Sequence, residues 1–480
     1  MLDKVSYLSN LLSMGLGLLL VGALTQTLGD DYSFYVLAVS LMSLFSFDFG
    51  LGTAVGRLYT QELQLESETS SHNSSIILGD YFQIIAIFVL PLLVIAVLVT
   101  CTSIDLIFPN LDPGTATNLQ TLLLELGLPS TLVSVALSGV DGFYAGQGRM
   151  MTLRVINMAF RFLHVTLFIC LLFFTHDCRI AITCQILALP LLRIVKLSYF
   201  ATFYPIAFRA LSLTRVRKFS SFFGWITLAM IADRFFLSVI PSVLTRYNLS
   251  HEVKLYGVVS SVTSNFYSLG KSLNGNYIKP ITTFFLSRNL KSLNQTLNRY
   301  SGNQILVLGA IFMLFCGFGQ IIFPMWVGPE FVILIPYICL VLSGVLVFLI
   351  AEIFYELIYA GDLVHIRAIV FILASVANLT LLHFLARPFG IAGVCTSIFL
   401  TYILVHSFLL FLFSSSYFSV TGTYVKQQYQ QYKIIYAFIF VGVVLQFLTK
   451  CYWVHLLWTF AFFAVHHNQY RTWIKESLKS

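Results

Sequence analysis

Ten ionisable side chains interrupt stretches that are otherwise apolar for roughly 18–28 residues, long enough to span a bilayer. Five are bases, Arg161, Arg193, Lys196, Arg234 and Lys271. Five are acids, Asp48, Glu125, Asp233, Glu352 and Glu356. A charge held in hydrocarbon is costly, so it marks a partner, a polar interior or a pathway. Arg193 and Lys196 stand three apart on one helix face, where like charges repel unless an anion or carboxylate lies against them. Glu352 and Glu356 are the mirror case at spacing four, and are candidates to neutralise bases from other helices. Asp233 and Arg234 are adjacent, so on a helix they point about 100° apart and do not pair with each other. Arg234 lies about 22 Å from the basic end of its run at 1.5 Å per residue, too deep for comfortable snorkelling. It reads as a cavity-lining base, and Asp233 as a helix-pairing acid. Lys196 and Lys271 lie nearer that same face, within snorkelling reach.

Polar and glycine residues cluster around some of these charges. Asp48 sits in Asp48-Phe49-Gly50-Leu51-Gly52, where Gly50 and Gly52 permit close helix contact or a local break. The sharper reading makes these glycines a gate, with Asp48 and Glu125 as carboxylates coupling a cation. Gly270 and Gly275 flank Lys271, with Asn265, Asn274 and Asn276 nearby. Tyr267 and Tyr277 in that stretch are placed to stack on sugar rings.

The elements that must position these residues are helices. The chain has 480 residues, 58% hydrophobic and 10% charged, with a mean hydropathy of +0.86. Such a composition belongs to a helical membrane protein. Apolar runs fall at about 5–28, 33–56, 80–102, 115–140, 152–175, 179–204 and 219–245. They continue at about 253–280, 301–325, 331–358, 364–385, 389–415, 432–449 and 451–468, fourteen in all. The first run lacks a small-residue cleavage site and a strongly basic flank, so it reads as a spanning helix and not a signal peptide. With the N-terminus inside, eighteen Lys and Arg fall in inner segments and five in outer ones, which places both termini in the cytoplasm.

An internal repeat is visible. Tyr144-Ala145-Gly146 ends the fourth run and leads through Arg154 into the fifth; Tyr359-Ala360-Gly361 ends the tenth and leads through Arg367 into the eleventh. Ile180 to Cys184 opens the sixth run as Ile391 to Cys395 opens the twelfth. Both offsets equal six runs, which preserves orientation and predicts parallel repeats. The expected division is 1–208 as an N-lobe, 209–218 as a basic linker, 219–416 as a C-lobe, and 417–480 as two added helices with a tail.

The net charge of +8 is spread over short loops, and no basic stripe or soluble domain exists to dock nucleic acid. Eight cysteines lack any CxxC or Cys/His ligand spacing, which leaves no zinc site or disulfide framework. There is no Walker A or HExxH motif, so no cofactor is expected. Asp30-Asp31 superficially resembles the acidic pair of lipid-sugar glycosyltransferases, but its loop is only a few residues long.

The chain resembles the polysaccharide-repeat flippases of the Wzx type, within the MOP exporter superfamily. The resemblance covers nearly the whole chain. It rests on Asp48-Phe49-Gly50-Leu51-Gly52, Asp233-Arg234-Phe235-Phe236-Leu237-Ser238, Met325-Trp326-Val327-Gly328-Pro329-Glu330-Phe331, and Gly390-Ile391-Ala392-Gly393. It implies an all-α, V-shaped exporter that flips undecaprenyl-diphosphate-linked oligosaccharides, such as O-antigen units, across the bacterial inner membrane. Its partners would be that lipid-linked oligosaccharide, membrane lipids, a polysaccharide polymerase and a chain-length regulator. The related lipid II flippases carry arginines in the first helix, which this chain lacks, so a peptidoglycan precursor is disfavoured. Within this reading Arg234, Lys271, Arg193, Lys196 and Arg161 would meet the diphosphate. The rivals are a multidrug or cation exporter of the same superfamily, and a polytopic glycosyltransferase or polymerase.

Overall fold

Inside a bilayer the backbone must satisfy its own N–H and C=O groups, and long apolar runs do so as helices. The computed structural model describes residues 2–45, 79–146, 150–202, 213–274, 277–361, 363–418 and 420–479, and they contain no strand. The first half holds α1 (Leu2–Leu28), α2 (Tyr32–Ser43), α3 (Gly79–Thr102), α4 (Pro113–Leu122), α5 (Leu128–Ala136), α6 (Gly139–Gly146), α7 (Met150–Thr175) and α8 (Cys178–Ala201). Then come α9 (Leu213–Ser238), α10 (Ile240–Arg246), α11 (Ser250–Asn274), α12 (Ile278–Leu286) and α13 (Leu290–Trp326). The chain closes with α14 (Ile335–Ala351), α15 (Ile353–Ala360), α16 (Val364–Leu400), α17 (Phe408–Tyr417), α18 (Val420–Leu448) and α19 (Tyr452–Lys479).

Nine helical stretches among the described residues are long and apolar enough to cross a membrane, or ten if the bent pair α9–α10 is one span. The expected fourteen are not reproduced by this measure. The first two runs join in one stretch, Leu11–Ser43, and Val364–Tyr417 holds two more. Helices α11 and α19 are long but more polar, α11 through its serines and asparagines and α19 through its histidines, Asn468 and Gln469. Within Val364–Tyr417 the backbone turns at Gly390, whose φ of 54° is a conformation that side chains resist. Helix α1 begins at Leu2, so Lys4 stands in its first turn and not ahead of it.

Contacts divide the chain into two units, Thr27–Lys254 on one side, and Met1–Gln26 with Leu255–Ser480 on the other. This is a different partition from the six-plus-six division: α1 packs largely within the second unit and α9 within the first. The Trp326 motif explains the first of these. Its indole N–H donates to the Leu18 carbonyl at 2.6 Å, and Gln26 Nε2 donates to the carbonyls of Met325 at 3.2 Å and Trp326 at 3.0 Å.

Proline shapes the spans. The turns Ile85–Val89 and Leu123–Gly127 are π-helical and each ends two residues before a proline, Pro91 and Pro129. A proline offers no N–H to the carbonyl four residues back, and a widened turn moves the following donors into register. The seventh run is not the continuous helix expected: it bends by 46° between α9 and α10. Pro241 in the first turn of α10 is the cause.

The same device holds open a break in each unit. Between α5 and α6, buried Tyr81 of α3 donates to the Val135 carbonyl at 3.3 Å and accepts the Gly139 N–H at 2.8 Å. A side chain at Gly139 would start 2.5 Å from the Tyr81 ring, so the plug requires glycine there. Between α14 and α15, buried Tyr300 of α13 donates to the Leu349 carbonyl at 3.0 Å. A tyrosine from the preceding run thus satisfies carbonyls freed by the break in both halves. Tyr81→Phe strands the buried Gly139 N–H, and Tyr300→Phe the buried Leu349 carbonyl; each should cost about 1–3 kcal/mol. A thermal-unfolding midpoint in detergent that falls for both variants, while exposed Tyr429→Phe leaves it unchanged, is the expected result.

Candidate functional site

The predicted bases of α8 are drawn apart by the break beside them. Lys196 Nζ lies 2.7 Å from Asp141 Oδ1 of α6, with the lysine side chain 3% exposed. One turn earlier, buried Arg193 donates through its guanidinium to the Ser134 carbonyl of α5. The like charges therefore reach opposite sides of the α5–α6 break, one to a carboxylate and one to a carbonyl. Tyr144 donates to the Lys196 carbonyl at 3.0 Å and fixes the backbone under the pair. Lys196 does not snorkel; it is enclosed.

The second unit repeats the theme with a different lysine. Glu352 stands between α14 and α15, its Oε1 3.5 Å from Lys271 Nζ and 3.4 Å from the Tyr267 hydroxyl, which donates to it. Lys271 also lies over the Tyr267 ring, 4.6 Å from its centroid, and that ring stacks on Phe348 at 6.1 Å. Glu352 is enclosed at 8% side-chain exposure, whereas Lys271 remains 40% exposed. Each break thus carries a carboxylate held to a lysine, and only the Lys271 head is open to a ligand.

The sequence reading missed Asp141. The repeat held the signal, because Asp141 precedes Tyr144-Ala145-Gly146 by the same spacing that Glu356 precedes Tyr359-Ala360-Gly361. Glu356, half-buried one turn beyond Glu352, is also engaged with neighbours. Arg367 stacks within an aromatic cage, 5.0 Å from the Tyr355 ring and 5.2 Å from those of Tyr359 and Phe371.

Arg234 stands in the last turn of α9, ahead of the bend, with its side chain exposed, while Asp233 is half-buried. Neither makes a hydrogen bond or ion pair among the described residues, so the inter-helix pairing expected of Asp233 is not found there. Arg161 on α7 and Glu125 in the π turn are likewise exposed, and neither is a member of the two lysine–carboxylate pairs. Asn265 turns back on its own helix, donating to the Ser261 carbonyl at 2.8 Å. Tyr277 accepts from Asn303 Nδ2 at 2.5 Å and meets Tyr300 edge-on, with centroids 5.4 Å apart. Asp48, Gly50, Gly52 and Asn276, with the side chain of Asn274, lie outside the described residues. No group of three or more His, Cys, Asp or Glu that could hold a metal occurs among the described residues.

No protein-family model matches the sequence, and no curated protein matches it. Solved structures do. The lipid II flippase MurJ in an inward closed conformation is 14% identical, with a TM-score of 0.69 over 97% of this chain and 99% of that one. An inward-facing multidrug resistance MATE family transporter of the MOP superfamily is 12% identical, with a TM-score of 0.64 over 85% and 96%. The eukaryotic MATE transporter AtDTX14 is 17% identical, with a TM-score of 0.59 over 89% and 98%. The chain is a polytopic helical protein with the fold shared by these transporters and flippases.

The enclosed Lys196–Asp141 pair makes a sharp prediction. Removing Asp141 leaves the enclosed Lys196 ammonium in low dielectric; because the Asp141 side chain is itself 38% exposed, the cost falls below the ~3–5 kcal/mol of a fully buried pair. Asp141→Asn should lower the thermal midpoint strongly, and adding Lys196→Met should recover most of the loss. A double variant as unstable as the single one would contradict this arrangement.

Proposed function

We propose that this chain is a flippase that carries a lipid-linked, diphosphate-bearing oligosaccharide from the inner to the outer leaflet of a bacterial inner membrane. The observation that carries the reading is Arg234. It is a guanidinium deep in an apolar helix, exposed, without an ion-pair partner among the described residues, and next to a proline-induced bend. An uncompensated base in such a place calls for an anion, and a guanidinium binds phosphate oxygens in bidentate fashion. Lys271 is the second base with an open head, and Glu352 can hold it until a diphosphate takes its place. Arg193 and Lys196 are engaged by protein groups and serve the helix break; Arg161 is a further exposed base.

The parallel-repeat organisation, with lobes 1–208 and 219–416, is supported by the two tyrosine-plugged breaks at equivalent positions of the two halves. Cytoplasmic termini follow from the distribution of Lys and Arg. A negatively charged head moving outward across an inside-negative membrane gains about 2.3 kcal/mol per charge per 100 mV, so the potential itself favours export. Coupling to a cation through Asp48 or Glu125 would add to that. A polymerase and a chain-length regulator would consume the exported units. The MATE-like fold favours multidrug export as the second reading, but exposed bases in the spans favour an anionic substrate over a cationic drug.

Arg234→Ala should abolish surface polysaccharide while the protein still inserts, and lipid-linked units should accumulate on the cytoplasmic side. Arg234→Lys should retain part of the export, because it keeps charge without the planar fork. Normal surface polysaccharide in Arg234→Ala cells would remove Arg234 from the pathway.

A further inference from the structure

Three helices outgrow the membrane at one end. Helix α13 is 37 residues long, about 56 Å at 1.5 Å per residue, against a hydrocarbon core of about 30 Å. Its first turns, 290–304, are polar, and the apolar part begins at Ile305. Helix α18 is polar over 420–433 before its apolar part, and α19 becomes polar from His466 onward. The three overhangs rise roughly 20 Å each beyond the apolar parts. They are bound together by carboxamides. Gln427 Oε1 accepts from Asn294 at 3.0 Å and from Asn298 at 2.5 Å, and Gln428 Nε2 donates to Asn298 Oδ1 at 2.7 Å. From the third helix, the Trp473 indole donates to Asn303 Oδ1 at 3.0 Å and the Tyr470 hydroxyl to the Leu306 carbonyl at 2.9 Å.

Between the overhangs lies a cavity of about 490 Å³. Carboxamides of Asn298, Asn303, Gln431, Asn468 and Gln469 line it, with the rings of Tyr432 and Trp473 and the single base Arg299. A carboxamide offers donor and acceptor side by side, the pattern that adjacent sugar hydroxyls also offer. Flat rings suit the C–H face of a pyranose. The segments 290–304 and 420–433 contain no Asp or Glu and the third overhang holds Glu476 alone, whereas Lys291, Arg299, Lys426, Lys433 and Arg471 are all exposed there. That rim attracts phosphate, and Arg299 is the one base that also lines the cavity. Asn298 and Asn303 are engaged by protein partners, which leaves Gln431, Asn468 and Gln469 to meet a ligand; a lone inorganic anion would not need their carboxamide oxygens, and a lipid tail would not tolerate such a lining.

We propose that this cavity is a sugar-docking site that takes the phosphate-bearing glycan head of the lipid-linked substrate at the membrane surface, before the head reaches Arg234. The inference rests on the flippase reading. The amides hold the sugar, the basic rim holds the phosphate, and the prenyl tail remains in lipid beside the apolar parts of the same helices.

The test uses the full-length chain in the membranes of its own cells, with their native lipid-linked glycans as the probe. A photoreactive benzophenone amino acid is placed at exposed Gln469 in one variant and at exposed Phe235, next to Arg234, in another. After irradiation, adducts are identified by mass. Glycan-bearing adducts are expected at both positions. Adding Gln431→Ala and Asn468→Ala should reduce the adduct at 469 at least fivefold and leave that at 235 within twofold. A glycan adduct at 235 with none, or only phospholipid, at 469 overturns the docking site and spares the flippase reading. An adduct at 469 unchanged by the two substitutions also overturns it. Absence of glycan at both positions overturns the docking site together with the reading on which it rests.

Discussion

Hydrocarbon offers no partner to a backbone amide or carbonyl, and the helix breaks among the described residues are arranged around that constraint. Where α5 stops and α6 begins, the hydroxyl of Tyr81 occupies the gap; where α14 stops and α15 begins, that of Tyr300 does. Where proline deletes a donor, the helix widens into a π turn or bends. The breaks are therefore built features and not weak points. Asp141 stands at the first tyrosine-plugged break and Glu352 at the second, and each draws in a lysine of a neighbouring helix.

The consequence is a division of labour among the intramembrane bases. Lys196 and Arg193 are consumed by the first break and hold α8 to both of its sides. Lys271 is held more loosely, at 3.5 Å and with much of its head exposed, so an anion can compete for it. Arg234 is held by nothing among the described residues. Charge count alone treats these four as equals. Their partners separate structural bases from those free to meet a substrate.

Much of the architecture is legible in the residues. Apolar length gives the all-helical membrane fold, and the order of four short motifs points to the fold that the chain shares with the solved transporters and flippases. Spacing also indicates that Arg193 and Lys196 need a counter-group and that Asp233 and Arg234 do not serve each other. The identity of partners is not legible, because it depends on which helices lie side by side. Lys196 finds Asp141 across 55 positions of chain, and Arg193 finds a backbone carbonyl, which no sequence pattern announces. The bend at Val239 is not legible either: Pro241 is visible in the sequence, but whether its helix continues or breaks depends on the neighbours packed against it. The expected roles of Asp48, Gly50 and Gly52 lie outside the described residues. The amide-lined cavity is not legible in the sequence because its residues come from three helices, each merely polar at one end.

The central claim is that the chain moves an anionic, glycan-bearing lipid. It is tested most directly with purified protein in liposomes, using a fluorescent prenyl-diphosphate oligosaccharide and a potassium-diffusion potential. The account predicts protein-dependent movement between leaflets that accelerates when the side of origin is made negative. Movement of a lipophilic cationic dye, with the diphosphate lipid left in its original leaflet, would contradict it.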